Sequence, residues 1–199
     1  MSNGSIIELI GEIKVIRFSR PEIRSPLSIS VLEGLHEAID AVAADSAAAG
    51  LLFTGTGDVF ASGADLREIA AVTAETAKEF ALRGQTLMSK VASLHCPTVA
   101  AVNGFCFGGA LDLALACDRR IAKPNALFSH PGATLGIMTG WGGTQRLPRL
   151  IGEAAAWALA GIRMGERIER RRQADIRTLA GQVSVLRAGR SSLEEIADV

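Results

Sequence analysis

One pattern occurs twice in this chain and narrows its fold more than any other: a short buried strand, a glycine-bearing loop, then a helix. The first copy joins the apolar run 51–54 to glycines 55, 57 and 63, then to a short helix from Asp65 and a longer one over about 74–94. Pro97 stops that helix, and the second copy begins: strand 98–102, the loop Asn103-Gly104-Phe105-Cys106-Phe107-Gly108-Gly109, and an apolar helix over 109–116. Strand, loop and helix in fixed order predict stacked units with function at the loops that follow the strands. Ahead of them, the β-branched runs 6–10 and 13–18 flank Gly11-Glu12 as a hairpin would. Ser28 or Ser30 then caps a helix to about residue 44, with Val31, Leu32, Leu35, Ile39 and Val42 on one face. Later come short strands at 119–122 and 126–129, a glycine-rich stretch over 132–143, and helices over 142–150 and 153–160.

At 199 residues the chain suits one domain better than two. Its 21 basic and 21 acidic residues cancel, which removes the positive field that nonspecific nucleic-acid binding needs. No stretch approaches the roughly 18 apolar residues of a membrane span. Glu8, Glu12 and Lys14 interrupt the apolar N-terminal residues before a signal core could form, so the expected location is the cytoplasm. Cys96, Cys106 and Cys117 are an odd set without a C-x-x-C pair, which points to free thiols in a reducing compartment. His36, His95 and His130 lack metal-ligand spacing and read as surface or core residues, with no metal expected.

Several familiar sites fail on spacing. There is no G-x-S-x-G elbow. Glycines 104, 108 and 109 lack the Lys-Ser/Thr of a phosphate loop, and Gly55-x-Gly57 lacks the third glycine of the dinucleotide fingerprint. What remains is a pair of glycine turns, Ser62-Gly63-Ala64-Asp65-Leu66 and Phe107-Gly108-Gly109-Ala110, each opening a helix. Small residues let a ligand approach the backbone, and amides at helix starts are free to donate. Two such donors on one carbonyl oxygen would stabilise an enolate or a tetrahedral oxyanion, where losing one donor costs about 3–4 kcal/mol. The same glycines would serve equally well as tight turns alone.

The sequence resembles the crotonase superfamily, the enoyl-CoA hydratase and isomerase group. The resemblance rests on Phe18-Ser19-Arg20-Pro21-Glu22-Ile23-Arg24, Phe60-Ala61-Ser62-Gly63-Ala64-Asp65-Leu66, Ala101-Val102-Asn103-Gly104 through Gly108-Gly109, Cys117-Asp118, and Gly142-Gly143-Thr144-Gln145-Arg146-Leu147. It implies an α/β spiral of repeated ββα units, with a core over 1–161 and a shortened, atypical helical C-terminal region over 162–199. The implied substrate is an acyl-CoA thioester, with coenzyme A entering only as part of the substrate, no other cofactor, and a homotrimer or hexamer as the assembly. By position, the oxyanion-hole amides fall on Ala64 and Gly109. Substrate and CoA contacts fall on Arg24, Ser25, Leu27, Ser62, Gly63, Asp65, Leu66, Phe105, Gly108 and Gly132.

Hydratases of this kind carry two glutamates, where this chain has Asp112 and Gly132. An aspartate set among Leu111, Leu113, Ala114 and Leu115 is expected to have a duty, here as the proton carrier. One carboxylate suits double-bond isomerisation through a CoA dienolate better than hydration. His130, two residues before Gly132, is a substitute pocket base. Phe105, Phe107, Leu135 and Trp141 are either pocket walls or core. From Arg163 to Arg177 a run of arginines reads as a solvated helix face, and Leu179, Val183 and Leu186 restore a weak helical stripe. The expected activity is that of a lyase or isomerase of fatty acid metabolism. The alternative is a catalytically silent CoA-ester-binding or assembly subunit.

Overall fold

The computed structural model describes residues 4–160, so the expectations for the C-terminal segment lie outside the described residues. Strands β1 (Ser5–Ile10) and β2 (Ile13–Phe18) form the antiparallel hairpin that Gly11-Glu12 predicts. Helix α1 (Ile29–Ala44) follows, capped by Ser28, whose hydroxyl accepts from the Val31 amide. Its apolar stripe is buried as its spacing predicts, with Ala38 added.

Beyond α1 the chain winds through the same three-part turn. Each turn places one strand in a large sheet, the next in a small sheet, and then a helical segment. The first turn is β3 (Gly50–Thr54), β4 (Val59–Ala61), α2 (Leu66–Ala70) and α3 (Ala77–Ala92). A second turn holds β5 (Thr98–Val102), β6 (Phe105–Phe107) and α4 (Gly109–Ala116). In the third, β7 (Arg119–Ala122) and β8 (Leu127–Ser129) lead into a 3-10 turn, Pro131–Leu135, then α5 (Gly143–Ile151) and α6 (Glu153–Leu159). The large sheet runs β1-β2-β3-β5-β7 and the small one β4-β6-β8. All pairs after the hairpin are parallel.

Two stretches read from the sequence as glycine-bearing loops therefore contain strands β4 and β6. Each is only three residues long, too short for periodicity to reveal, and each is pinned by a neighbour rather than by its own pattern. The consequence is a ββα repeat instead of βα. In each of the three turns it carries the chain from the large sheet to the small one before the helical segment.

Packing between the two sheets and the helices accounts for the core. Phe18 on β2 meets Phe60 on β4 edge to face, with ring centroids 5.4 Å apart. Leu51, Phe53, Ala100 and Val102 are also buried there. Helix α4 is buried along every residue from Ala110 to Ala116, which is why its sequence shows no polar face. Polar links hold the turns in place. Asn103 accepts from the Gly55 amide (2.9 Å) and donates to the carbonyls of Gly57 (3.0 Å) and Val59 (3.1 Å), so one side chain ties the loop of the first turn to that of the second.

Asn103→Ala removes all three bonds and leaves the buried Gly55 amide unpaired, while the exposed Gly57 carbonyl turns to water and the Val59 carbonyl keeps the Thr56 amide. At about 1 kcal/mol per bond it is expected to cost about 3 kcal/mol, read as a lower denaturation midpoint at unchanged slope.

Candidate active site

Strands β4 and β6 lie side by side, with Ala61 opposite Cys106, and their carboxyl ends deliver two turns to one place. The first turn is anchored from outside. Leu27 forms an isolated parallel bridge with Ala64, and its amide donates to the Gly63 carbonyl (2.8 Å). In that pairing the bridged residue's own N–H points away from its partner, so the Ala64 amide faces away from Leu27. Ser62 donates to the Ser25 carbonyl (3.4 Å). Gly63 sits at φ +84°, and a Cβ there would lie 2.6 Å from the Gly109 nitrogen and 2.7 Å from the Phe107 oxygen. The backbones of the two turns are in direct contact, and only glycine permits it.

In the second turn Gly108 spends its amide on the Ser129 carbonyl (2.9 Å). Gly109 is the first residue of α4, where helix geometry supplies no intrahelical acceptor for its N–H. Ser62, Ala64, Leu66, Gly108, Gly109, Asp112 and Gly132 all line one cavity of about 270 Å³. The rest of its wall is mostly apolar, from Ile69, Phe80, Leu135, Met138 and Trp141, with His130 and Thr139 as polar members. Trp141 is wedged between α3 and α4: a Cβ on Gly84 or on Gly109 would come within 2.2 Å of the indole.

Asp112 lies one turn into α4 and is 1% exposed. The Thr139 hydroxyl donates to its Oδ2. Its Oδ1 lies 3.2 Å from Nε2 of His130, which is itself 3% exposed, but the two do not meet in hydrogen-bonding geometry. Below both groups is Gly143, the first residue of α5, where a Cβ would lie 2.1 Å from Oδ1 and 2.9 Å from Nε2. The starts of α4 and α5 thus both reach the carboxylate, and the positive end of a helix dipole attracts negative charge. Cys106 stays a thiol here, since burial first and the Asp112 charge second push its pKa well above the ordinary range.

Other residues picked out by resemblance lie around this cavity rather than on it. Arg24 (φ 62°) and Ser25 (φ 45°) form a left-handed pair, and the Arg24 guanidinium stacks 4.5 Å above the Phe105 ring. Phe105 stacks in turn on Phe107, 3.8 Å away, and neither ring lines the cavity. Ser25 is buried, and its Oγ accepts from the Arg20 amide. Asp65 caps α2 through the Arg67 amide and pairs with the Arg67 guanidinium, whose hydrogen bonds bring its carboxyl down to about 2. At Gly132, a Cβ would lie 2.6 Å from the Ile137 carbonyl, so the loop closes over the place where a side chain would stand.

The sequence reads His130 as surface or core, with a substitute pocket base as the other reading, and ties neither Thr139 nor Gly143 to Asp112. The buried side of a pocket has no periodic signature, and the only available signal was a histidine and an aspartate in otherwise apolar surroundings.

A family model described as enoyl-CoA hydratase/isomerase matches residues 9–174. The chain is 41% identical over 152 residues to the crotonyl-CoA hydratase of Syntrophomonas wolfei, covering 76% of this chain and 58% of that protein. It is 39% identical over 142 residues to the human mitochondrial enoyl-CoA hydratase domain-containing protein 2, covering 71% and 49%. The crystal structure of an enoyl-CoA hydratase from Bacillus anthracis superposes with a TM-score of 0.75 at 34% identity, over 80% of this chain and 62% of that one. The chain therefore spans between half and about three-fifths of the length of these relatives.

Gly143→Ala pushes a methyl group into Asp112 and His130. It is expected to lower the thermal midpoint by several degrees, at about 1–3 kcal/mol for an overpacked core, as read by a calorimetric or fluorescence melt.

Proposed function

The chain belongs to the enoyl-CoA hydratase/isomerase family, and from that premise we propose that it acts on an acyl-CoA thioester, using Ala64 and Gly109 to hold the thioester oxygen and Asp112 to carry a proton. The observation behind this reading is the convergence of two glycine turns and one buried carboxylate on a single cavity. Two amides that reach the backbone surface of one pocket supply the donors for an oxyanion, without a side chain having to move. In this scheme a proton leaves or joins the carbon next to the thioester, the electron pair shifts onto the carbonyl oxygen, and the two N–H groups stabilise the enolate. Asp112, about one helical turn beyond Gly109 and lining the same cavity, is the group proposed to exchange that proton.

The CoA portion is proposed to run along the Arg24–Leu27 segment, which is hydrogen-bonded to the first turn through Ser25 and Leu27. A phosphate would find the Arg24 guanidinium at its edge, with the cation's face already stacked on Phe105. The apolar wall of Ile69, Phe80, Leu135 and Met138 suits an alkyl or alkenyl chain. A trimeric or hexameric assembly and a cytoplasmic location extend the same reading.

The deciding assay compares hydration of crotonyl-CoA and isomerisation of a 3-enoyl-CoA in the unaltered chain and in Asp112→Asn. Turnover is expected to fall at least 100-fold in the variant, while binding of the CoA ester, followed by calorimetry, stays within a few-fold. Ester binding with no turnover in either protein would instead identify a silent binding subunit.

A further inference from the structure

Among the described residues, four buried side-chain polar atoms have no hydrogen-bond partner, and three of them sit at one point: Oδ1 of Asp112 and both ring nitrogens of His130. Folded proteins pair the large majority of such groups, and a cluster of unpaired ones inside a pocket points to groups kept free for a ligand or a reaction. The pair is not a packing accident that could easily relax. Thr139 holds the far oxygen of Asp112, the His130 amide is tied to the Leu159 carbonyl (3.2 Å), and Gly143 leaves just enough room beneath both side chains. Both residues line the cavity that holds Ala64 and Gly109. Position 132 has no space for a side chain that could share their work.

We infer that His130 is the second proton-handling group of this site, and that it forms with Asp112 a unit holding one proton, equipped for hydration as well as isomerisation. The inference rests on the acyl-CoA reading above. In the hydration step a water O–H bond breaks and its oxygen bonds to the β carbon of the enoyl thioester. The water proton goes to the His130 ring. The carbon–carbon π pair moves to form the enolate, whose oxygen lies between the Ala64 and Gly109 amides. The α carbon then takes the proton of Asp112, restoring the thioester carbonyl. The proton on His130 returns to Asp112 through water in the cavity that both residues line. One water has added across one double bond, and the pair ends with the proton count it began with.

The test uses the full chain with crotonyl-CoA. His130→Gln, which fills similar space but does not take up a proton, is expected to lower the kcat of hydration at least 100-fold, with KM changed less than threefold. His130→Ala is expected to show the same loss and to regain at least tenfold with added imidazole, whereas Asp112→Asn regains nothing from it. A His130 role in packing alone would not respond to imidazole. Hydration by His130→Gln within fivefold of the unaltered chain overturns the inference, as does a His130→Ala variant that keeps its circular dichroism and is not rescued. If the unaltered chain neither binds nor turns over crotonyl-CoA, the acyl-CoA reading itself fails, and this inference with it. Turnover that is indifferent to His130 removes the inference alone.

Discussion

Contact between two pieces of backbone, Gly63 against the Gly109 nitrogen, is the constraint on which the rest of this site depends. It arises because β4 and β6 are parallel neighbours, so their ends finish at the same level and their following turns meet. A side chain at position 63 would force the turns apart, and with them the amides of residues 64 and 109. The outer bonds from the Ser25–Leu27 segment press the first turn from the opposite side. Geometry of this kind is held by main-chain atoms, which have little freedom to relax.

Against that fixed backbone, the Asp112 and His130 side chains are packed but not satisfied. Burial of a carboxylate normally demands several donors, and here, among the described residues, the Thr139 hydroxyl alone donates to it, with the heads of α4 and α5 close by. Burial holds the nearby Cys106 as a thiol, which adds no negative charge to the site. Leaving one carboxylate oxygen and an imidazole unbonded costs stability, and the burial of α4 from Ala110 to Ala116 helps to offset it.

Much of the architecture was legible where residues repeat with a period. The α1 stripe, the hairpin about Gly11-Glu12 and the buried α4 all follow from spacing and capping. The two glycine turns were legible as well, as breaks between an apolar run and a helix start. What spacing does not reveal is short or remote. Strands β4 and β6 are three residues each and exist through their neighbours. His130, Thr139 and Gly143 reach Asp112 from separate segments, and no local pattern ties them to it. Gly132 looked in the sequence like a lost carboxylate, whereas the fold shows a closed loop there, with the Ile137 carbonyl occupying the space.

Trp141 carries a consequence for how the molecule tolerates change. Its indole fills the gap between Gly84 on α3 and Gly109 on α4, in contact with both main chains. The ring acts as a spacer whose thickness sets the distance between a surface-facing helix and the amide at the head of the buried one. Evolutionary drift along α3 is therefore not free at residue 84: any bulk gained there is conveyed through a rigid aromatic plate to a position 25 residues further along the chain.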